Sequence, residues 1–159
     1  MKRKEIVIPL EVAPTSELVR EDQELISEAL KIAKEAYAPY SKFHVGAAAR
    51  LASGHIVSGS NQENAAYPSG LCAERTALFY AGAHHPNDPV EALAVVAVKG
   101  GEGTQVRLAA PCGACRQVFL ETADRHKHPF RVLLAGPEET TIVKDCRDML
   151  PINFDASSL

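Results

Sequence analysis

The sequence has no long run of lysine and arginine, no uninterrupted apolar stretch of membrane-spanning length, no internal repeat and no low-complexity tract. Each absence removes a class of function. Binding a polyanion needs clustered cations, and a formal net charge of −3 without a basic patch argues against nucleic acid as a partner. The N-terminal stretch MKRKEIVIPLEVAPTSEL starts basic, but its apolar part is short and broken by Glu5, Pro9 and Glu11, a poor signal peptide or membrane span. A cytoplasmic protein without membrane partners is therefore expected. Cysteine is scarce, at four residues. In a chain of this size without an export signal, clustered cysteines more often serve metal binding or catalysis than disulfides.

What is present suffices for one core. A chain of 159 residues with 46% hydrophobic content can bury a single proper core, and its length does not call for a second domain. From Gln23 to Tyr37, apolar residues recur at helical spacing until Pro39 ends the pattern. Val45–Leu51 and His55–Ser58 read as strands around Ser53-Gly54, a two-residue hairpin signal, and the small residues Gly46 to Ala49 suggest that something packs closely on the first of them. Leu71–Ala83 reads as a helix ending at His84-His85-Pro86. Ala92–Val98 is an apolar run typical of a strand buried on both faces. Cys112–Asp124 reads as a helix with Pro111 at its start, followed by strands at Arg131–Ala135 and around Thr141–Val143. The order α-β-β-α-β-α-β-β predicts an α/β fold, a three-layer α-β-α sandwich around a five-stranded mixed sheet. Residues 20–159 form the expected domain, residues 1–19 a loosely attached N-terminal extension, and Lys99 to Gly103 a glycine-rich surface loop.

Two segments could carry chemistry: Cys72-Ala73-Glu74 and Pro111-Cys112-Gly113-Ala114-Cys115, each at a helix start. Unpaired backbone N–H groups and the helix dipole favour thiolate there, preparing soft metal ligands. Cys112 and Cys115 can share one Zn²⁺, and Cys72 completes three ligands. Three ligands leave a position open for water, and Glu74 is the carboxylate able to take its proton. In a regular helix, residues two apart face different ways, so Cys72 and Glu74 converge only if the motif straddles an irregular helix start, which Pro68-Ser69-Gly70 makes plausible. The cysteines alone leave other uses open: a redox pair, or a structural zinc closed by Cys146. Cys146 has no chelating neighbour in sequence and is expected as a free, partly buried thiol. None of the six histidines lies in a chelating pattern, and His84-His85 marks a helix C-terminus.

Asn61-Gln62-Glu63-Asn64-Ala65-Ala66-Tyr67, Cys72-Ala73-Glu74-Arg75-Thr76-Ala77 and Pro111-Cys112-Gly113-Ala114-Cys115-Arg116-Gln117 resemble the signature blocks of the small, homotetrameric cytidine deaminases. Tyr40-Ser41-Lys42-Phe43-His44-Val45-Gly46-Ala47 resembles their N-terminal block, and Leu150-Pro151 with Phe154 their C-terminal one. The resemblance implies one Zn²⁺ per subunit on Cys72, Cys112 and Cys115, with Glu74 as proton shuttle. It implies hydrolytic deamination of cytidine and 2'-deoxycytidine to uridine and 2'-deoxyuridine with release of ammonia, by zinc-activated water attacking C4, in pyrimidine salvage. By the same resemblance, Asn61 and Glu63 meet the ribose hydroxyls, Phe43 and Tyr67 help form the substrate site, and the Ala73 backbone meets the polar edge of the base. Arg75 withdraws charge from a zinc cysteine, Phe154 reaches a neighbouring subunit's site, and the enzyme is a homotetramer. Gly136–Cys146 fits the family less cleanly, and Gln62 fills a position often apolar in relatives.

Overall fold

The computed structural model describes residues 1–99 and 105–159. Within them the chain forms β1 (Glu11–Pro14), α1 (Arg20–Ala33), β2 (Phe43–Leu51), β3 (Ile56–Ser60), α2 (Ala73–His84), β4 (Val90–Lys99), β5 (Gln105–Arg107), α3 (Gly113–His126), β6 (Arg131–Ala135) and β7 (Glu139–Val143). The strands make one mixed sheet in the order β1-β7-β6-β4-β2-β3, with β5 paired to the far end of β4. The β4–β6 pair is parallel and the other pairings are antiparallel.

Side-chain alternation explains the layers. Ala47, Ala49, Leu93, Val95, Val132 and Leu134 pack with α2 and α3, whereas Ala48, Ala94, Val96, Leu133 and Ala135 pack with α1. Successive residues of a strand point to opposite faces, so the uninterrupted apolar run of β4 fills both cores. The expected three-layer α-β-α sandwich is the observed architecture, with a sheet of seven strands among the described residues rather than five. The two unforeseen strands are short. β5 has three residues and β1 four, too few for a period-two pattern to register. β1 lies in the N-terminal extension and pairs with β7 along the sheet edge. There Thr15 and Thr140 share a hydroxyl hydrogen bond of 2.9 Å, and Glu11 forms an ion pair with Lys144. Residues 11–18 are thus fastened to the sheet rather than loosely attached.

Other boundaries shift for physical reasons. α1 ends at Ala33 rather than Tyr37 because Tyr37 pairs instead with the segment after β3: its N–H donates to the Asn61 carbonyl at 3.1 Å, and its carbonyl accepts from the Glu63 N–H at 2.8 Å. The β2–β3 connection is not the two-residue turn expected. The Leu51 N–H donates to the His55 carbonyl at 2.8 Å, enclosing Ala52, Ser53 and Gly54, with Gly54 at φ 86°. Lys99 ends β4, and the rest of the expected glycine-rich loop lies outside the described residues. Among the described residues no helix is long and apolar enough to cross a membrane.

The close approach anticipated at Gly46–Ala49 is that of α1. A Cβ added at Gly46 would stand 2.0 Å from the Ala29 carbonyl oxygen and 2.6 Å from the Ala33 nitrogen. Gly46→Ala must therefore push α1 off the sheet. We expect a loss of about 1–3 kcal/mol, read as a lower denaturant midpoint. An unchanged midpoint would contradict this packing.

Candidate active site and metal centre

Chain direction brings the functional residues to one end of the sheet. β3 and β4 are both antiparallel to β2, so their carboxyl ends lie on the same side, next to the start of β2. α2 follows β3 and α3 follows β4 and β5; each helix runs back over the sheet and so begins at that same end. Phe43 and Val45 from β2, and Asn61 and Glu63 just after β3, fall there too.

Cys72 is the N-cap of α2 and Cys112 the N-cap of α3; both have extended backbone, with Ala73 and Gly113 as the first helical residues. The Cys72–Ala73–Glu74 motif thus straddles the helix boundary, the condition for thiol and carboxylate to converge. The Sγ atoms lie 3.8 Å apart for Cys72 and Cys112 and 3.5 Å apart for Cys112 and Cys115. All three lie within 4.8 Å of one another. A disulfide needs ~2.0 Å between sulfurs, whereas two thiolates on one tetrahedral Zn²⁺ at ~2.3 Å stand ~3.8 Å apart. Donor type, number and spacing all fit zinc. Arg75 adds an Nη2 donor 3.6 Å from Cys72 Sγ.

The electrostatics follow from the crowding. Cys72 is lowered to about 5, first by the hydrogen bond from the Cys115 thiol and then by Arg75 against the cost of burial. Cys115 is pushed up by that same contact, by burial and by the Glu74 charge. Glu74 is only 4% exposed, and burial raises its carboxyl above the usual range. A carboxyl so placed sits closer to the pH at which it can both take and return a proton.

A cleft of ≈ 790 Å³ opens onto this centre, lined by Phe43, Asn61, Glu63, Tyr67, Cys72, Glu74, Arg75 and Cys112 among others. Cys115 lies buried beside Cys72 and Cys112, and Ala73 is fully buried. Asn61 is fixed by β2: its Oδ1 accepts from the Val45 N–H at 2.7 Å and its Nδ2 donates to the Phe43 carbonyl at 3.0 Å. Glu63 Oε2 accepts from the N–H groups of Tyr40 at 2.9 Å and Ser41 at 3.3 Å. The Ser41 hydroxyl and these amides hold its carboxyl below the usual range. Tyr67 is 91% exposed at the rim. Phe154 does not line its own chain's cleft; it is 59% exposed, and its carbonyl accepts from Gln117 Nε2 at 2.9 Å.

The match of this chain to a family model decides what such a centre belongs to: the model of the cytidine and deoxycytidylate deaminase zinc-binding region covers residues 19–128. The chain belongs to that family. Among its relatives, a cytidine deaminase of Sporosarcina psychrophila is 42% identical over 138 residues, spanning 86% of this chain and 93% of that one. A cytidine deaminase of Halalkalibacterium halodurans is 40% identical over 137 residues, spanning 86% and 96%. The crystal structure of a cytidine deaminase from Burkholderia pseudomallei superposes with a TM-score of 0.68 at 39% identity, covering 83% of this chain and 98% of that one.

Two sets of residues near the centre, quoted in the sequence only as parts of family-like blocks, show their contacts in the structure. Tyr40 and Ser41 hold Glu63, and Arg116 ties the start of α3 to the C-terminal segment through the Pro111 carbonyl at 2.9 Å and the Met149 carbonyl at 3.3 Å. The contacts to Glu63 and to Met149 span 22 to 33 residues and leave no mark on spacing. Cys146 is a free thiol as expected but fully buried, donating to the Phe119 carbonyl and pushed up to about 11 by burial. In chelator-treated native protein at pH 8, Cys72 and Cys112 should be alkylated and Cys146 spared until denaturant is added. Peptide mapping that finds Cys146 labelled in the native protein would contradict this placement.

Proposed function

We propose that this chain catalyses the hydrolytic deamination of cytidine and 2'-deoxycytidine to the corresponding uridines, releasing ammonia. The observation that carries the reading is the convergence of three thiols and one buried carboxyl at the base of a single cleft that also holds an aromatic ring, an amide and a second carboxylate. Family membership supports the reaction class. Cys72, Cys112 and Cys115 would hold one Zn²⁺ per chain, which would supply the Lewis acidity that brings a water's pKa toward neutrality.

The chain's own residues do the rest. Glu74 accepts a proton from the attacking water, passes it to the pyrimidine ring, and later delivers a second proton to the departing amino group, so that water and cytidine become uridine and ammonia. Arg75 draws negative charge from Cys72, and the two helix N-termini act in the same direction; without them three thiolates would over-neutralise a divalent ion. Phe43 offers a face to the pyrimidine and the Ala73 backbone its polar edge. Asn61 and Glu63 discriminate a sugar bearing hydroxyls from a bare base, and Tyr67 closes the rim. The reading extends to a cytoplasmic homotetramer in pyrimidine salvage, in which Phe154 completes a neighbouring subunit's site. The exposure of Tyr40, Tyr67, Leu108 and Phe154 supports an interface there.

Glu74→Gln should keep its metal and lose activity by about 10²–10⁴-fold. Full activity in that variant would overturn the proton-shuttle role. Cytosine and CMP should be poor substrates beside cytidine and deoxycytidine, and comparable turnover of cytosine would overturn the sugar-binding assignment.

A further inference from the structure

Beyond Met149 the chain leaves the core, and residues 151–154 and 156–159 are exposed. The hydrogen bonds within this stretch are local: Asn153 Nδ2 donates to the Leu150 carbonyl at 3.2 Å, and Asp155 Oδ1 accepts from the Ser157 N–H at 2.9 Å. Neither fixes the stretch against the domain. Among the described residues, two consecutive side chains of α3 do that. Arg116 Nη1 donates to the Met149 carbonyl at 3.3 Å, at the root of the segment, and Gln117 Nε2 donates to the Phe154 carbonyl at 2.9 Å, farther along it. Both residues directly follow Cys115, so the segment hangs from the helix whose start bears two of the three thiols.

The form of the second contact matters. Gln117 grips the main chain of Phe154 and leaves the ring exposed, and that ring does not line its own chain's cleft. Unfastened, an exposed segment samples many backbone conformations, and ordering it against a partner costs binding energy. Fastened, it meets the partner in one of them. We propose that Gln117 is a positioning residue: by holding the Phe154 carbonyl it fixes where the Phe154 ring projects, and so sets how tightly the neighbouring subunit's cleft holds its nucleoside. The inference rests on the reading of Phe154 as a residue that completes a neighbouring subunit's site.

The test is a double-mutant cycle on Gln117 and Phe154, with cytidine as substrate and with zinc content and oligomeric mass measured for every variant. Gln117→Met keeps the side chain's length and removes its donor, and Gln117→Glu puts an acceptor against the carbonyl. Each should raise KM for cytidine by about three- to tenfold, the range of one lost hydrogen bond, with kcat nearly unchanged and zinc and mass as in wild-type protein. Phe154→Ala should raise KM at least as much. Because Gln117 bonds the main chain, Phe154→Ala leaves the grip in place but removes the ring it aims, so adding Gln117→Met to Phe154→Ala should change KM no further. A multiplied loss in the double variant would show that Gln117 acts by another route and overturn the proposal. So would an unchanged KM in both Gln117 variants, or a KM rise that tracks lost zinc or a smaller mass. An unchanged KM in Phe154→Ala would overturn the Phe154 reading, and this inference with it. Wild-type protein that fails to deaminate cytidine would overturn the functional reading beneath both.

Discussion

The N-termini of α2 and α3 meet at one end of the sheet, and three sulfur atoms lie between them. Four unpaired N–H groups begin each helix, and the field they create favours negative charge where Cys72 and Cys112 cap them. Three thiolates in such proximity repel one another. The Cys115 thiol turned toward Cys72 eases that repulsion, lowering the Cys72 thiol and raising its own, so a proton stays between the two sulfurs. A divalent cation resolves the conflict, and the sulfur spacings already match the size of Zn²⁺.

The scaffold must hold those two helix starts against this repulsion, and its packing shows how. α2 lies so close to β3 that a Cβ on Gly59 would stand 2.6 Å from the Ala77 nitrogen. α3 is anchored by Phe119, which meets Phe130 edge-on with ring centroids 5.8 Å apart, and by Arg116, which holds the Pro111 carbonyl just before Cys112. Both helices rest on one apolar cluster. On the other face, α1 presses on Gly46, close to the stretch of β2 that Asn61 clasps. The three cysteines are therefore set by α2 and α3, whereas Asn61 and Glu63 are tied to β2 and to the segment after α1, and the two groups meet because β2 runs against β3 and β4.

Much of this was legible in the sequence because it is local. The thiols and Glu74 sit at fixed offsets from helix starts, and the apolar run of β4 announced a strand covered on both sides. Family resemblance then grouped residues that spacing alone could not, since Phe43, Glu63 and Cys112 are far apart in the chain. What stayed hidden depends on long-range pairing. Tyr37 leaves the helical pattern only because Asn61 and Glu63 capture its backbone. β1 and β5 exist through partners elsewhere in the sheet. α1 begins three residues early, at Arg20, behind Val19, which offers no side-chain cap to read.

X-ray absorption at the zinc edge of the metal-loaded protein most directly separates an open catalytic position from a closed structural one. A shell of three sulfurs at about 2.3 Å and one oxygen or nitrogen at about 2.0 Å is expected. A shell of four sulfurs would contradict it.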